Sequence, residues 1–362
     1  MIPNPIIKKP VIVTGLDIGS SKIAAVSAQI GADHTFRILA QVTGPSRGIS
    51  KGVVIDLGEA IDGVSKVLSK LREKISVKPG DIYVNVSGVS IRGEKSRGMV
   101  PLSLRGREVT RPDMDRCVNV ASVIRLPFDR EILQKIVHNY SVDDQSWIKS
   151  PLGLYASRLS CEIYVITCDI NHIQNIHKVV NSAGYDVKEI VYTGIADGYG
   201  LMEDKDKEKS VVLMDMGSNL TEISVFSSGT LTDVSVMPVE SRGSGDDYRN
   251  NPQFIEMISK VAAKTEAITI KEHKAPFVMI TGGLAFSDGI VEFLEERLSC
   301  PVKMGVARDV RGEISSLDSV RLVTAIGLAR FAYSKYRKRV LEDRNIAKRI
   351  SDTLTEIFNY YF

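Results

Sequence analysis

Apolar positions recur along this chain at two periods, and each change of period marks an element. Residues 11–28 read VIVTGLDIGSSKIAAVSA and residues 211–226 read VVLMDMGSNLTEISVF. In both, an apolar run is followed by a short polar turn and a second apolar run, which predicts two buried strands joined as a hairpin. Over 56–74, Ile61, Val64, Val67, Leu68 and Leu71 fall at helical spacing, which predicts an amphipathic helix laid against a sheet. The short apolar runs 82–86 and 163–166 predict strands, and 172–183 predicts a helix ended by Gly184. Residues 94–150 are more mixed, with Pro101, Pro112 and Pro127 punctuating them, as a separate small unit would be. Strands and helices alternate in both halves, so the fold class is α/β.

The two hairpins carry the same chemistry. Aligned at Asp17 and Asp215, both read Asp-x-Gly-Ser at the end of the first strand. An acidic residue at a strand end and a glycine in the turn suit backbone that approaches phosphate oxygens or a hydrated metal ion. Asp17, Gly19, Ser20, Ser21 and Lys22 are therefore candidate phosphate ligands in the first hairpin. Asp215, Gly217, Ser218 and Asn219 are their counterparts in the second. Two such hairpins about 200 residues apart predict two lobes of common origin facing each other across a cleft. A third piece, PFVMITGGLAFSDGI at 276–290, reads as a strand ending in a glycine pair and followed by a helix. Such a pair lets backbone lie flat against a planar group, which makes Gly282, Gly283 and Leu284 candidates for an adenosine. Asp17, Asp215 and Glu222 are candidates to hold Mg²⁺ through its waters. The lysine-bearing loop GxxxxGK[ST] is absent, which argues against P-loop chemistry.

At 362 residues the chain is too long for one simple core and divides into two or three lobes. Its 43% hydrophobic and 25% charged residues exclude wholesale disorder and a fibrous repeat. A net charge of +3 is too balanced for a nucleic-acid coat, so no nucleic-acid partner is expected. No apolar run approaches the roughly 20 residues that a membrane-spanning helix needs. The first ten residues lack the apolar stretch of a secretory signal. Cys117, Cys161, Cys168 and Cys300 lie far apart without metal-type spacing, which reads as free thiols in a reducing cytoplasm. The five histidines form no metal-type constellation.

The end of the chain has a character of its own. Residues 334–349 hold seven Lys or Arg, and from 346 onward Ile346, Ile350, Leu354, Ile357, Phe358 and Tyr361 form one apolar stripe at three- and four-residue steps. Such a helix can dock on its own core or a partner, or lie in a membrane interface with its bases near anionic headgroups. In the membrane reading the binding residues are Lys348, Arg349, Ile350, Leu354, Ile357, Phe358, Tyr361 and Phe362.

With these pieces in place, the chain resembles the superfamily of nucleotide-binding folds shared by actin, heat-shock chaperones and sugar kinases. Within it, the chain resembles the FtsA family of bacterial cell-division proteins. GLDIGSSKIAAVSAQI (15–30) is similar to the family's first phosphate hairpin, its lysine here being Lys22. SRGISKGVVIDLGEAIDGVSKVLSKL (46–71) looks like the following strand and helix, and RLVTAIGLARFA (321–332) like the helix that crosses back between lobes. VNVSGVSIRG (84–93) and the stretch 126–167 look like the subdomain that FtsA carries in place of one actin subdomain. The resemblance implies an actin-like (ribonuclease H-like) fold of duplicated lobes with a small inserted α+β subdomain. It places the first lobe, 1A, at 10–81 and 167–195, and the inserted subdomain, 1C, at 82–166. The second lobe, 2A, follows at 196–333, with 319–333 returning to the first lobe. A basic linker at 334–345 leads to a membrane-targeting helix at 346–362.

Two departures bear on mechanism. The second hairpin usually reads Asp-x-Gly-Gly-Gly-Thr-Thr-Asp, whereas here Leu220 replaces a hydroxyl that could bond phosphate. Between 237 and 275 only the loop SRGSGDD and one helix, about 252–271, stand where relatives hold a whole subdomain, 2B. In the family, 2B walls one side of the nucleotide site and receives the tail of the tubulin-like partner FtsZ. A cleft short of that wall predicts weak or absent ATP binding. ATP and Mg²⁺ are thus implied as cofactors with binding weakened or lost. The chain is expected to be at most a weak ATPase, with no catalytic residue assigned. The function implied is an adaptor that tethers the FtsZ division ring to the inner face of the cytoplasmic membrane, and that recruits later division proteins through 82–166. The same resemblance implies self-association into protofilaments and binding to anionic lipid. A pilus-assembly adaptor like PilM and an active ATPase or small-molecule kinase are the alternatives.

Overall fold

The computed structural model describes residues 10–31, 35–203, 205–238, 250–272, 276–307 and 316–338. The chain opens with the hairpin β1 (Val11–Ile18) and β2 (Lys22–Ile30), then β3 (Phe36–Pro45) and the short pair β4 (Ile49–Ser50) and β5 (Val53–Val54). Helix α1 (Leu57–Ile75) follows, begun by Asp56, whose carboxylate accepts from the Glu59 amide at 2.9 Å. It buries Val64, Val67, Leu68 and Leu71 of the apolar stripe seen in the sequence. Each such side chain contributes roughly 1.5–3 kcal/mol on leaving water. The chain then returns through β6 (Asp81–Val86).

An inserted domain interrupts the lobe at this point. It contains β7 (Arg92–Pro101), β8 (Arg107–Glu108), α2 (Arg111–Ala121), β9 (Arg130–Val142), β10 (Gln145–Ile148), β11 (Tyr155–Ala156) and β12 (Arg158–Asp169). Its four-stranded sheet runs β10-β9-β12-β7, and Cys117 of α2 joins Cys161 and Val165 of β12 in a core of its own. The first lobe resumes with α3 (Ile170–Ser182), β13 (Val187–Tyr192) and α4 (Thr193–Leu201).

The second lobe repeats the plan. Its elements are β14 (Val211–Met216), β15 (Leu220–Ser227), β16 (Thr230–Pro238), α5 (Pro252–Glu272), β17 (Phe277–Thr281), α6 (Ile290–Leu298) and β18 (Val302–Met304). Helices α7 (Ser316–Arg321) and α8 (323–338) complete the described chain. The first sheet runs β13-β6-β1-β2-β3 and the second β16-β15-β14-β17-β18. Read from the hairpin outward, the two have the same order. In both, the hairpin is antiparallel and the next two strands are added in parallel. The duplication inferred from two turns thus extends to whole sheets.

Helix α8 bridges the lobes. A Cβ on Gly15 of β1 would run into the Ala325 carbonyl, and one on Gly327 into the Ala196 carbonyl of α4. Close backbone approach at both places explains why glycine is needed there. Ala325, Ile326, Leu328 and Ala329 are fully buried in a core shared by the first lobe, α4 and one face of the second sheet. The inserted domain also leans on the second lobe: His138 Nε2 meets the Leu231 carbonyl at 2.8 Å, and the Val234 amide donates to the Tyr164 hydroxyl at 3.0 Å.

Two sequence boundaries are corrected. β6 pairs in parallel with β1 and β13, so it belongs to the first sheet, and the insertion starts after it rather than at 82. The apolar run 82–86 is followed by Ser87 and Gly88, and the insertion starts beyond them. Of the basic linker expected at 334–345, residues 334–338 are instead part of α8, and the rest lies outside the described residues. The loop 241–247 and the candidate membrane helix 346–362 lie outside the described residues. Among the described residues no helix is long and apolar enough to cross a membrane.

Candidate functional site

The hairpin turns end side by side. One cavity of about 350 Å³ is lined by all nine candidate phosphate residues, from Asp17 to Lys22 and from Asp215 to Asn219. The turns match in local geometry as well as in sequence. A Cβ on Gly19 would lie 3.1 Å from the Lys22 carbonyl oxygen, and one on Gly217 would lie 3.0 Å from that of Leu220. Gly19 closes its turn by donating its amide to Lys22 at 3.0 Å. The end of β1 is fixed from the next strand, where Asn85 Oδ1 accepts from the Ile18 amide at 2.7 Å.

Carboxylates dominate the floor. In the β14–β15 ladder Asp215 stands directly opposite Glu222, so both side chains share a face. Burial and the neighbouring Asp17 charge push Asp215 up to about 6, against the pull of Lys22. Burial, with Asp215 nearby, pushes Glu222 up to about 8, partly offset by hydrogen bonding to Ser87 and Thr193. Asp17 is raised by burial, with Lys22 and Asn85 acting the other way. Behind them Asp197 is fully buried and accepts from Thr324 of α8 at 2.8 Å. Burial, then the Asp215 charge, hold its carboxyl far above the usual range. Two buried oxygens here, Glu222 Oε1 and Asp197 Oδ2, have no hydrogen-bond partner. A buried carboxylate oxygen without a donor calls for water or a cation.

Part of the third sequence motif lines this cavity. Gly282, at φ +88°, and Gly283 both line it. A Cβ on Gly282 would overlap Asp215 Oδ1 and the Met216 backbone, so only glycine fits beside the acid. Leu284 does not line the cavity and instead packs on the second-lobe core, which corrects its assignment as an adenosine contact. The exposed aromatic at the mouth is Phe286, with the Arg321 guanidinium 5.8 Å from its ring centre. Lys22 crosses the mouth to donate to the Arg321 carbonyl.

Sequence reading missed Gly52, Asn85, Ser87, Thr193 and Thr324, all of which line the cavity. None has a motif, and Asn85 reaches its Ile18 partner across 67 positions. Helix α5, in the shortened stretch of the second lobe, contributes nothing to the described lining. It sinks Phe254, Met257, Ile258 and Val261 into the second core. The candidate membrane residues from Lys348 to Phe362 lie outside the described residues.

The residues fit a hydrated divalent cation under an anionic ligand. Among the described lining, three carboxylates, Asp17, Asp215 and Glu222, face two bases, Lys22 and Arg321. A polyphosphate entering alone would lie against these acids, and a cation between the two offsets that repulsion. No three His, Cys, Asp or Glu side chains among the described residues are grouped to hold a metal directly, so contact would run through water.

A family model described as the SHS2 domain inserted in FtsA matches residues 88–167, which coincide with the inserted domain. The chain is 25% identical to the cell division protein FtsA of Pseudomonas aeruginosa, over 89% of each chain. It is 32% identical to FtsA of Borreliella burgdorferi over 63% of this chain and 55% of that protein. For Escherichia coli FtsA the figures are 30%, 63% and 54%, so these two matches of higher identity span about half the length of those relatives. Among solved structures, the PilM–PilN type IV pilus biogenesis complex superposes with a TM-score of 0.64 at 13% identity, covering 88% of this chain and 97% of that one. The ethanolamine utilization protein EutJ from Carboxydothermus hydrogenoformans gives 0.50 at 14% identity, covering 91% and 92%. At such identities the structures speak to fold alone, and the fold is actin-like.

Proposed function

From its place among the relatives of the cell-division protein FtsA, we propose that this chain is an actin-like division adaptor working at the inner face of the cytoplasmic membrane. The homologues support a cell-division role as such. The observation that carries the finer reading is an FtsA-type domain inserted into the first of two duplicated lobes. Its tasks are to tether the FtsZ ring, to recruit later division proteins through the inserted domain and to self-associate into filaments. The tail, with its bases and its apolar stripe from Ile346 to Tyr361, is the lipid anchor, holding to anionic headgroups.

The cleft binds a nucleoside triphosphate, with ATP the candidate, its phosphates lying between the turns at Gly19 and Gly217. Asp17, Asp215 and Glu222 hold the waters of a Mg²⁺, which neutralises the phosphates when bound. Affinity is weak, since α5 adds no wall to the opening and Leu220 offers no hydroxyl. Glu222, kept protonated near neutral pH, is a poor general base, which supports a binding role over fast hydrolysis.

Liposome co-sedimentation tests the adaptor reading. The full chain is expected to pellet with vesicles containing anionic lipid, and a chain lacking 345–362 to stay in the supernatant. Equal pelleting of both would overturn the anchor.

A further inference from the structure

The inserted domain is joined to the first lobe by two crossing segments, one leaving after β6 and one returning at the end of β12. His172 of α3, 5% exposed, sits at this root. Its Nε2–H donates to the Gly52 carbonyl at 2.9 Å. With Nε2 so engaged, Nδ1 is the acceptor, and the Ser90 hydroxyl donates to it at 3.0 Å. Cys168 Sγ lies 3.7 Å from the same nitrogen. Ser90 is on the outgoing segment and Cys168 on the returning one. Arg130 spans the other side of the root, donating to the carbonyls of Ser90 at 2.7 Å and Thr167 at 3.0 Å and pairing with Asp169 at 2.7 Å.

Gly52 leads the other way. Its amide donates to Ser20 Oγ at 3.2 Å, and both residues line the cavity between the lobes. Gly52 has φ +77°, and a Cβ there would lie 2.6 Å from the Ser87 carbonyl oxygen, so this backbone has little room to move. Burial lowers the His172 pKa, which keeps the ring in the neutral form that this donor–acceptor pattern needs.

We propose that His172 is a positioning residue that ties the first hairpin turn to the root of the inserted domain. Resting on the reading of the cleft as a phosphate site, this means that a ligand contacting Ser20 acts through Gly52 and His172 on how the inserted domain is held. The inserted domain thereby reports the state of the cleft.

Hydrogen exchange on the full chain tests the tie with and without ligand. His172→Phe keeps the ring's bulk and removes both hydrogen bonds, while His172→Gln keeps an amide that can donate to Gly52. Without ligand, His172→Phe is expected to speed exchange at Ser20, Gly52 and residues 88–91 together, roughly two- to tenfold, the size of one net hydrogen bond. His172→Gln is expected to restore Gly52. Loosening confined to α3, with Ser20 and Gly52 unchanged, would overturn the tie. With millimolar MgATP the wild type is expected to slow exchange at both the turn and 88–91. Ser90→Ala is expected to bind MgATP equally well and lose the protection at 88–91; if it keeps that protection, the route through His172 is wrong. A wild type that binds no MgATP would overturn the reading of the cleft, and the ligand-free comparison would still decide the tie.

Discussion

Glu222 and Asp215 face each other across one ladder, and burial and neighbouring acids raise both carboxyls. A carboxyl whose folded pKa lies above its unfolded value is more protonated in the native state. It therefore costs stability as pH rises from the unfolded value to the folded one. For Glu222 that window runs from 4.5 to about 8. Glu222→Gln is accordingly expected to leave stability nearly unchanged at pH 4.5 and to raise it at pH 8 in EDTA, by an amount on the order of 4 kcal/mol. Urea unfolding at the two pH values measures this, and an equal effect at both would contradict it. Gly282→Ala is expected to cost about 1–3 kcal/mol, since it forces a side chain into the left-handed region against Asp215 and Met216. The same unfolding measurement checks it, with no loss as the contrary result. The acids of this cavity were legible in the sequence because the Asp-x-Gly-Ser turn occurs twice. Asn85, Gly52 and Thr324 were not, because only the fold brings them to the turns.

The hairpins and α1 announced themselves through apolar periodicity, and their folded forms follow it. The edge of the insertion did not, because only the pairing of β6 with β1 and β13 shows that the apolar run 82–86 belongs to the first sheet. The resemblance placed RLVTAIGLARFA between the lobes, but the backbone contacts that seat it there were not legible, since the segment itself reads only as an apolar helix. In the fold, Gly15 and Gly327 let that helix touch β1 and α4 by backbone. Gly327→Ala is expected to destabilise the protein by roughly 1–3 kcal/mol through overpacking against Ala196, with α8 displaced from between the lobes. Chemical denaturation reads the loss, and a neutral effect would mean that the helix sits less tightly than described. Leu68→Ala, in α1, removes a fully buried side chain far from the cleft and is the control, expected to cost about 2–5 kcal/mol without altering ligand binding.

On the scale of the molecule, two sheets of the same strand order set matching turns at one cavity, and an FtsA-type domain is grafted on the first. The cavity collects acids that repel one another and leaves two of their oxygens unpaired, an arrangement that a hydrated cation and a phosphate chain would satisfy together. Titration of a fluorescent ATP analogue with Mg²⁺, on the wild type and on Asp17→Asn and Asp215→Asn, probes that most directly. Weak, Mg²⁺-dependent binding is expected in the wild type, with each substitution lowering affinity about tenfold or more, since each lobe supplies one of the two acids. Affinity that ignores one of the two substitutions, or that is the same in EDTA, would contradict a cleft shared by both lobes.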